Sequence, residues 1–221
     1  MNQHGNEIQA LTLKINKARR NLKEGTREWK EKTGSPYIDY ALRLENKHLD
    51  GCVLLPDRLE LLNLLPKKAL CCEVGTDQGI FARQIIKSCF PKELVIVDIS
   101  FERFEYDKFR EVDVQGVAKT YEMDSVECLS SFPERYFDWI YIDGDHSYEG
   151  AKRDLNVAMN KVKDEGYIVC NDYTTWSVSS MTKCGVARAV NEFCLNFNWK
   201  FVYFALQGNM YYDVAMKRLY Q

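Results

Sequence analysis

Residues 137–155 read FDWIYIDGDHSYEGAKRDL. The first six, Phe137 to Ile142, form an apolar run of the kind that builds a buried strand. From residue 148 to 163 the pattern changes to helical spacing, with Ala151, Leu155, Ala158 and Val162 on one face. Between the two sit Asp143, Asp145 and His146, residues that a packed strand end does not need. They make either an ordinary turn or the carboxyl edge of a parallel sheet on which chemistry is done.

The same strand-then-helix alternation extends in both directions. ALCCEVG (69–75) is a strand and Gly79–Cys89 a helix carrying Ile80, Ala82, Ile85 and Ile86. ELVIVDIS (93–100) and the weaker GVAKTYEMD (116–124) are strands, with a short helix near Val126–Leu129. GYIVCNDY (166–173) is a strand and Val186–Phe197 a helix. WKFVYFAL (199–206) and MYYDVAMKR (210–218) are strands around Gln207-Gly208-Asn209, a hairpin signal. The order predicts an α/β fold: a doubly wound, mostly parallel seven-stranded sheet ending in an antiparallel hairpin.

Helices precede the sheet. Ile8, Leu11, Ile15, Ala18 and Leu22 form a narrow stripe, interrupted at Gly25-Thr26, and TGSPY (33–37) is a loop. A second helix follows Pro56, using Leu59, Leu62 and Leu65, and stops at Pro66. The expected division is an N-terminal helical segment, 1–50, and a sheet domain, 51–221. The stripe is expected to cover the substrate side of the sheet or a second subunit, as in a homodimer.

The 221 residues suffice for one α/β domain, and a net charge of −2 leaves no overall basic field for nucleic acid. Residues 1–33 hold eight Lys/Arg against four Asp/Glu, a balance that fits a solvated helix face. Eight cysteines without any CxxC pair point to free thiols in a reducing compartment. Cys71 and Cys72 would point to opposite faces of a strand. With no apolar run of membrane length and no signal core, a cytoplasmic location without a membrane partner is expected.

Glu73-Val74-Gly75-Thr76-Asp77-Gln78-Gly79 follows the first strand of the alternating region. It is ExGxxxG, not the dinucleotide fingerprint GxGxxG, which disfavours a nicotinamide-dependent dehydrogenase. Taken alone it is equally a plain strand-to-helix turn. Asp98, at the end of the next strand, stands where a carboxylate grips a ribose diol. Loop and Asp98 together point to an adenosine ligand without phosphate, and Glu73 suits a cationic one.

With these residues the chain resembles the class I S-adenosylmethionine-dependent methyltransferases over roughly residues 50–217. FDWIYIDGDHSYEGAKRDL with GYIVCNDY resembles the small-molecule O-methyltransferase branch that includes the catechol and macrolide-sugar enzymes. The resemblance implies a Rossmann-like sheet and S-adenosylmethionine as methyl donor. It implies that Glu73, Gly75 and Gly79 hold the methionine part, Asp98 the ribose, and that Asp124 and Ser125 lie near the adenine, with Thr76 a further cofactor-binding residue. Met123 stands where the family has glycine.

The resemblance further implies a magnesium-type divalent cation on Asp143 and Asp172, with His146 as general base. Tyr173 occupies the usual place of a third ligand. Such a cation would bind the acceptor oxygen and lower its pKa. The activity implied is methyl transfer to a hydroxyl of a small molecule, such as a sugar or phenol. The alternative is a cofactor-binding, catalytically silent subunit. No Asn/Asp-Pro-Pro-aromatic motif of nucleic-acid methylation is present.

Overall fold

The computed structural model describes residues 3–38 and 40–220. Residues 1–39 and 40–221 form two compact units.

The first unit is one helix, α1 (Gln3–Thr33). It runs through Gly25 and Thr26, where the sequence predicts an interruption. A glycine costs a helix only about 1 kcal/mol, and the Thr26 hydroxyl donates back to the Lys23 carbonyl at 2.9 Å. Ile8, Leu11 and Ile15 are exposed along it, and Trp29 meets Tyr37 edge-on at 5.6 Å between ring centroids.

The second unit opens with β1 (Val53–Leu55), α2 (Arg58–Leu64), β2 (Leu70–Val74) and α3 (Ile80–Cys89). Then come β3 (Glu93–Asp98), α4 (Tyr106–Arg110), β4 (Ala118–Glu122) and α5 (Ser125–Ser131). β5 (Phe137–Ile142), α6 (Tyr148–Lys161) and β6 (Val162–Cys170) follow. A small hairpin of β7 (Trp176–Ser177) and β8 (Thr182–Lys183) precedes α7 (Val186–Phe197). β9 (Trp199–Ala205) and β10 (Asp213–Arg218) close the fold.

The main sheet has the order β1-β9-β10-β6-β5-β2-β3-β4, with β10 antiparallel to both neighbours and the other pairs parallel. The seven predicted strands are all present. An eighth, β1, pairs with Tyr203–Ala205 of β9. Three residues ended by Pro56 are too few for a period to be read from sequence. Met210–Tyr212, expected at the start of the last strand, lie in the connecting loop instead.

Chain order reverses at the sheet centre: from β2 the chain proceeds outward through β3 and β4, and from β5 outward on the other side. Adjacent β2 and β5 therefore form the switch point, and a crevice opens beyond their carboxyl ends.

Both faces of the sheet are buried. On one, Cys72, Val95, Ile140 and Ile168 pack with α5, α6 and α7 residues such as Leu129, Leu155 and Val190. On the other, Cys71, Leu94, Trp139 and Tyr141 pack with Leu61, Leu62 and Ile85 from α2 and α3. Cys71 and Cys72 do face opposite layers, and all eight cysteines are free thiols. Residues 40–50 are tied to the sheet unit through His48 Nδ1 and the Trp199 carbonyl, 2.8 Å apart. Among the described residues no helix is long and apolar enough to cross a membrane.

Candidate active site

A cleft of about 710 Å³ lies at the switch point, walled by the loops after β2, β3, β4 and β5. Most of the predicted site residues line it: Glu73, Gly75, Thr76, Asp98, Asp124, Ser125, Asp143 and His146.

Gly75 is required by packing as well as lining the cleft. Its φ is +79°, and a Cβ there would stand 2.2 Å from the Asp143 carbonyl oxygen. The Gly75 N–H donates to Val97 O at 2.8 Å and the Asp143 N–H to Val74 O at 2.7 Å, so three strand ends meet at this residue. Gly75→Ala combines a left-handed backbone with a backbone clash, for a cost of roughly 2–5 kcal/mol. We expect calorimetry to show a melting temperature ~5–15 °C lower. An unchanged melting curve would contradict the packing account.

Gly79 does not line the cleft. It is the α3 N-cap at φ +70°, and a Cβ there would stand 2.5 Å from the Phe104 ring. The spacing ExGxxxG thus has one glycine beside the crevice and one beneath an aromatic side chain.

Asp98 holds the glycine loop. Its Oδ2 accepts the N–H groups of Thr76 and Asp77 at 2.7 and 3.0 Å, and its Oδ1 that of Ser100 at 3.2 Å. Glu73 is fully buried; its Oε2 takes the Thr76 hydroxyl at 2.8 Å, and its Oε1 has no partner among the described residues. Burial pushes the Glu73 carboxyl up to about 8, with nearby Asp143 adding to the effect and Thr76 and Arg58 opposing it. An orphaned, buried carboxylate oxygen in a crevice wall is a ready partner for a cationic ligand group.

Asp124 caps α5, its Oδ1 accepting the N–H groups of Val126 and Glu127. Its Oδ2 accepts from Arg153 at 2.9 Å. Burial raises the Asp124 carboxyl, but Arg153 and the two N–H groups outweigh it and leave it lowered.

At the other end, His146 lies between two carboxylates. Nε2 is 3.1 Å from Asp143 Oδ1 and Nδ1 is 3.4 Å from Asp172 Oδ2. The hydrogen bond to Asp143 raises the imidazole's pKa; burial opposes it, and Asp143, Asp172 and Asp145 add their charge. Asp145 itself accepts the Ser147 N–H and hydroxyl, and Ser147 caps α6 through the Gly150 N–H. Gly185 donates its N–H to the His146 carbonyl at 2.8 Å.

These residues do not fit the expected hard-cation site. The imidazole bridges Asp143 and Asp172. Tyr173, at the third-ligand position, donates its hydroxyl to Asn191 Oδ1 at 2.8 Å. Asn171 turns its amide to Asp213 at 2.9 Å. Among the described residues no group of three His, Cys, Asp or Glu is placed to hold a metal ion.

Sequence reasoning missed the layer under this edge. Tyr141 donates to Asp213 at 2.5 Å, and Asn171 and Gln207 donate to the other Asp213 oxygen. Burial pushes Asp213 up to about 7 against its hydrogen bonds and nearby Arg58. Arg58 lies 4.6 Å over the Phe81 ring. Polar residues inside otherwise apolar strand runs, Tyr141 and Asp213, were the available signal. Tyr148 and Trp176, aromatic residues near the site in sequence, lie outside the cleft lining. The Tyr148 hydroxyl bonds Glu192, and Arg188 stacks on its ring at 4.1 Å.

Residues 72–173 match the family model of a methyltransferase domain. No curated protein sequence is significantly similar to the chain. Among solved structures, a ribosomal protein L11 methylase from Lactobacillus delbrueckii subsp. bulgaricus is 15% identical with a TM-score of 0.53, covering 74% of this chain and 78% of its own. A precorrin-6y C5,15-methyltransferase from Geobacter metallireducens is 15% identical with a TM-score of 0.56, covering 73% and 85%. An O-methyltransferase family protein from Burkholderia thailandensis is 13% identical with a TM-score of 0.54, covering 73% and 55%. At such identities the structural likeness speaks for the fold. Residues 72–173 thus resemble a methyltransferase domain, and the sheet unit has the fold of the class I methyltransferases.

Proposed function

We propose that this protein transfers a methyl group from S-adenosylmethionine to a hydroxyl of a small molecule, such as a sugar or a phenol, with His146 taking the hydroxyl proton. The observation that carries this reading is the imidazole held between Asp143 and Asp172 at the rim of the cleft.

The donor supplies an electrophilic methyl on a positively charged sulfur. The chain's task is then to orient an acceptor oxygen in line with that methyl and to remove its proton. Asp143 fixes the ring through the shorter contact. The contact to Asp172 is the longer, and it yields to the acceptor hydroxyl. The neutral form of His146 takes the proton, and the two carboxylates stabilise the imidazolium that results. No step is assigned to a divalent cation.

The orphaned oxygen of Glu73 supports a cationic donor. Besides Glu73, the cleft lining carries six acidic side chains against Arg153 and His146, a field that repels polyanions. Uncharged or cationic acceptors are therefore favoured over nucleic acid.

Calorimetric titration with S-adenosylhomocysteine tests the donor. Asp98→Ala removes the acceptor of two loop N–H groups, and we expect affinity to fall tenfold or more, about the worth of one charged hydrogen bond. Equal affinity would take Asp98 out of the site; no binding to the wild type would sink the donor. Transfer of a labelled methyl group across a panel of hydroxylated acceptors tests the reaction and separates it from silent cofactor binding.

A further inference from the structure

Two carboxylates flank Ser125, and the fold gives them different duties. Asp124 is committed at both oxygens, one to the first turn of α5 and the other to Arg153. Asp154, on α6, lines the same end of the cleft and is only 2% exposed. Its Oδ1 accepts the Ser125 hydroxyl at 2.5 Å. Its Oδ2 accepts no hydrogen bond among the described residues. That oxygen lies 3.6 Å from where a Cβ would stand at Gly144, in the wall of the crevice.

Resting on the reading that the donor carries an adenine base, we propose that Asp154, rather than Asp124, accepts a hydrogen bond from the exocyclic amine of that base. The Ser125 hydroxyl anchors the carboxyl for it. A carboxylate has only acceptor sites, and Asp154 lines the cleft with Oδ2 open to a donor. The 6-amino group is the N–H donor of the base. Ile99 and Met123 line the cleft together with Ser125 and offer apolar surface to a flat ring. Arg153, bonded to Asp124, does not neutralise the free oxygen by a direct bond. Burial raises the Asp154 carboxyl and the Ser125 hydroxyl opposes this, so an added N–H donor favours the charged form.

The test compares S-adenosylhomocysteine with its 6-deamino analogue, in which hydrogen replaces the amine, by calorimetric titration at one pH. Wild type should prefer the amino form tenfold or more, the range of a charge-assisted hydrogen bond. Asp154→Ala should compress that ratio to within about threefold, whereas Asp124→Ala should weaken both ligands alike. Ser125→Ala, which keeps the carboxylate but frees it from its anchor, should narrow the ratio partway and serves if Asp154→Ala is unstable. A wild type that binds both ligands within twofold overturns the assignment without any variant. So does a preference that survives in Asp154→Ala or disappears only in Asp124→Ala. If the wild type binds neither ligand, the donor reading itself has failed and this inference falls with it.

Discussion

His146→Ala is expected to lower methyl transfer by ~10²–10⁴-fold, the usual contribution of a positioned base, with S-adenosylhomocysteine affinity changed by less than about threefold. The two effects separate because the imidazole lies at the acceptor end of the crevice, against Asp143 and Asp172, while Glu73 and Asp98 lie around the glycine loop. The pH dependence follows from the raised imidazole. Its neutral, basic form grows as pH rises through the folded-state value, so the rate should climb on a limb alkaline of the ordinary 6.5. Asp172→Asn removes one of the charges that raise it and should move the limb toward acid. Stability has the opposite sign. The His146 contribution is fully present below about 6.5 and fades as pH rises through the folded value. The melting difference between wild type and His146→Ala should therefore shrink above that pH. Near-normal turnover in the alanine variant would reduce YIDGDH to a well-made turn.

The sheet was legible because both of its faces are buried. Strands such as Leu94–Val97 and Trp139–Ile142 are continuous apolar runs, as parallel strands must be when helices cover both sides. Runs of that kind bounded by glycine and aspartate leave little choice of element. Elements too short to show a period were not legible: β1 has three residues, α4 five, and the β7–β8 hairpin two per strand. Nor could composition tell that α1 continues through Gly25, since one glycine is a small penalty in a helix of 31 residues.

The site divides in the same way. Glu73, Asp98, Asp143 and Asp172 sit at strand ends, and their positions in sequence forced them to one edge of the sheet. What they do there depends on neighbours distant in sequence. His146 lies between Asp143 and Asp172, and Tyr173 reaches Asn191, so these groups are engaged within the chain. Ser125 meets Asp154 across 29 positions. Gly79 showed that a motif glycine can answer to packing, in this case Phe104, as readily as to a ligand.

Glu73→Gln should produce two large effects of opposite sense. In the ligand-free protein the Glu73 carboxyl titrates near 8 against an ordinary 4.5. Between those values the folded state holds a proton that the unfolded state has lost, so stability falls as pH rises across that window and levels off beyond it. Each unit of such a shift is worth about 1.4 kcal/mol. Glutamine does not titrate, and its carbonyl can still accept the Thr76 hydroxyl, although its amide leaves a new donor to satisfy. Melting curves should therefore cross: the variant is the weaker protein near pH 5 and gains on wild type by several degrees toward pH 8. Donor binding should move the other way. A cationic group beside Oε1 favours the ionised carboxylate, so wild-type affinity for S-adenosylhomocysteine should rise with pH up to about 8. Glu73→Gln should lose both that slope and ~10²–10³-fold in affinity, since one partner of a buried charged pair has gone. Calorimetric titration and melting at pH 5, 6.5 and 8 read both effects on the same samples. Parallel melting profiles would show that the carboxyl is not held protonated. Equal affinities would show that the orphaned oxygen faces no cation, and the donor's ammonium group would then have to be bound elsewhere in the cleft.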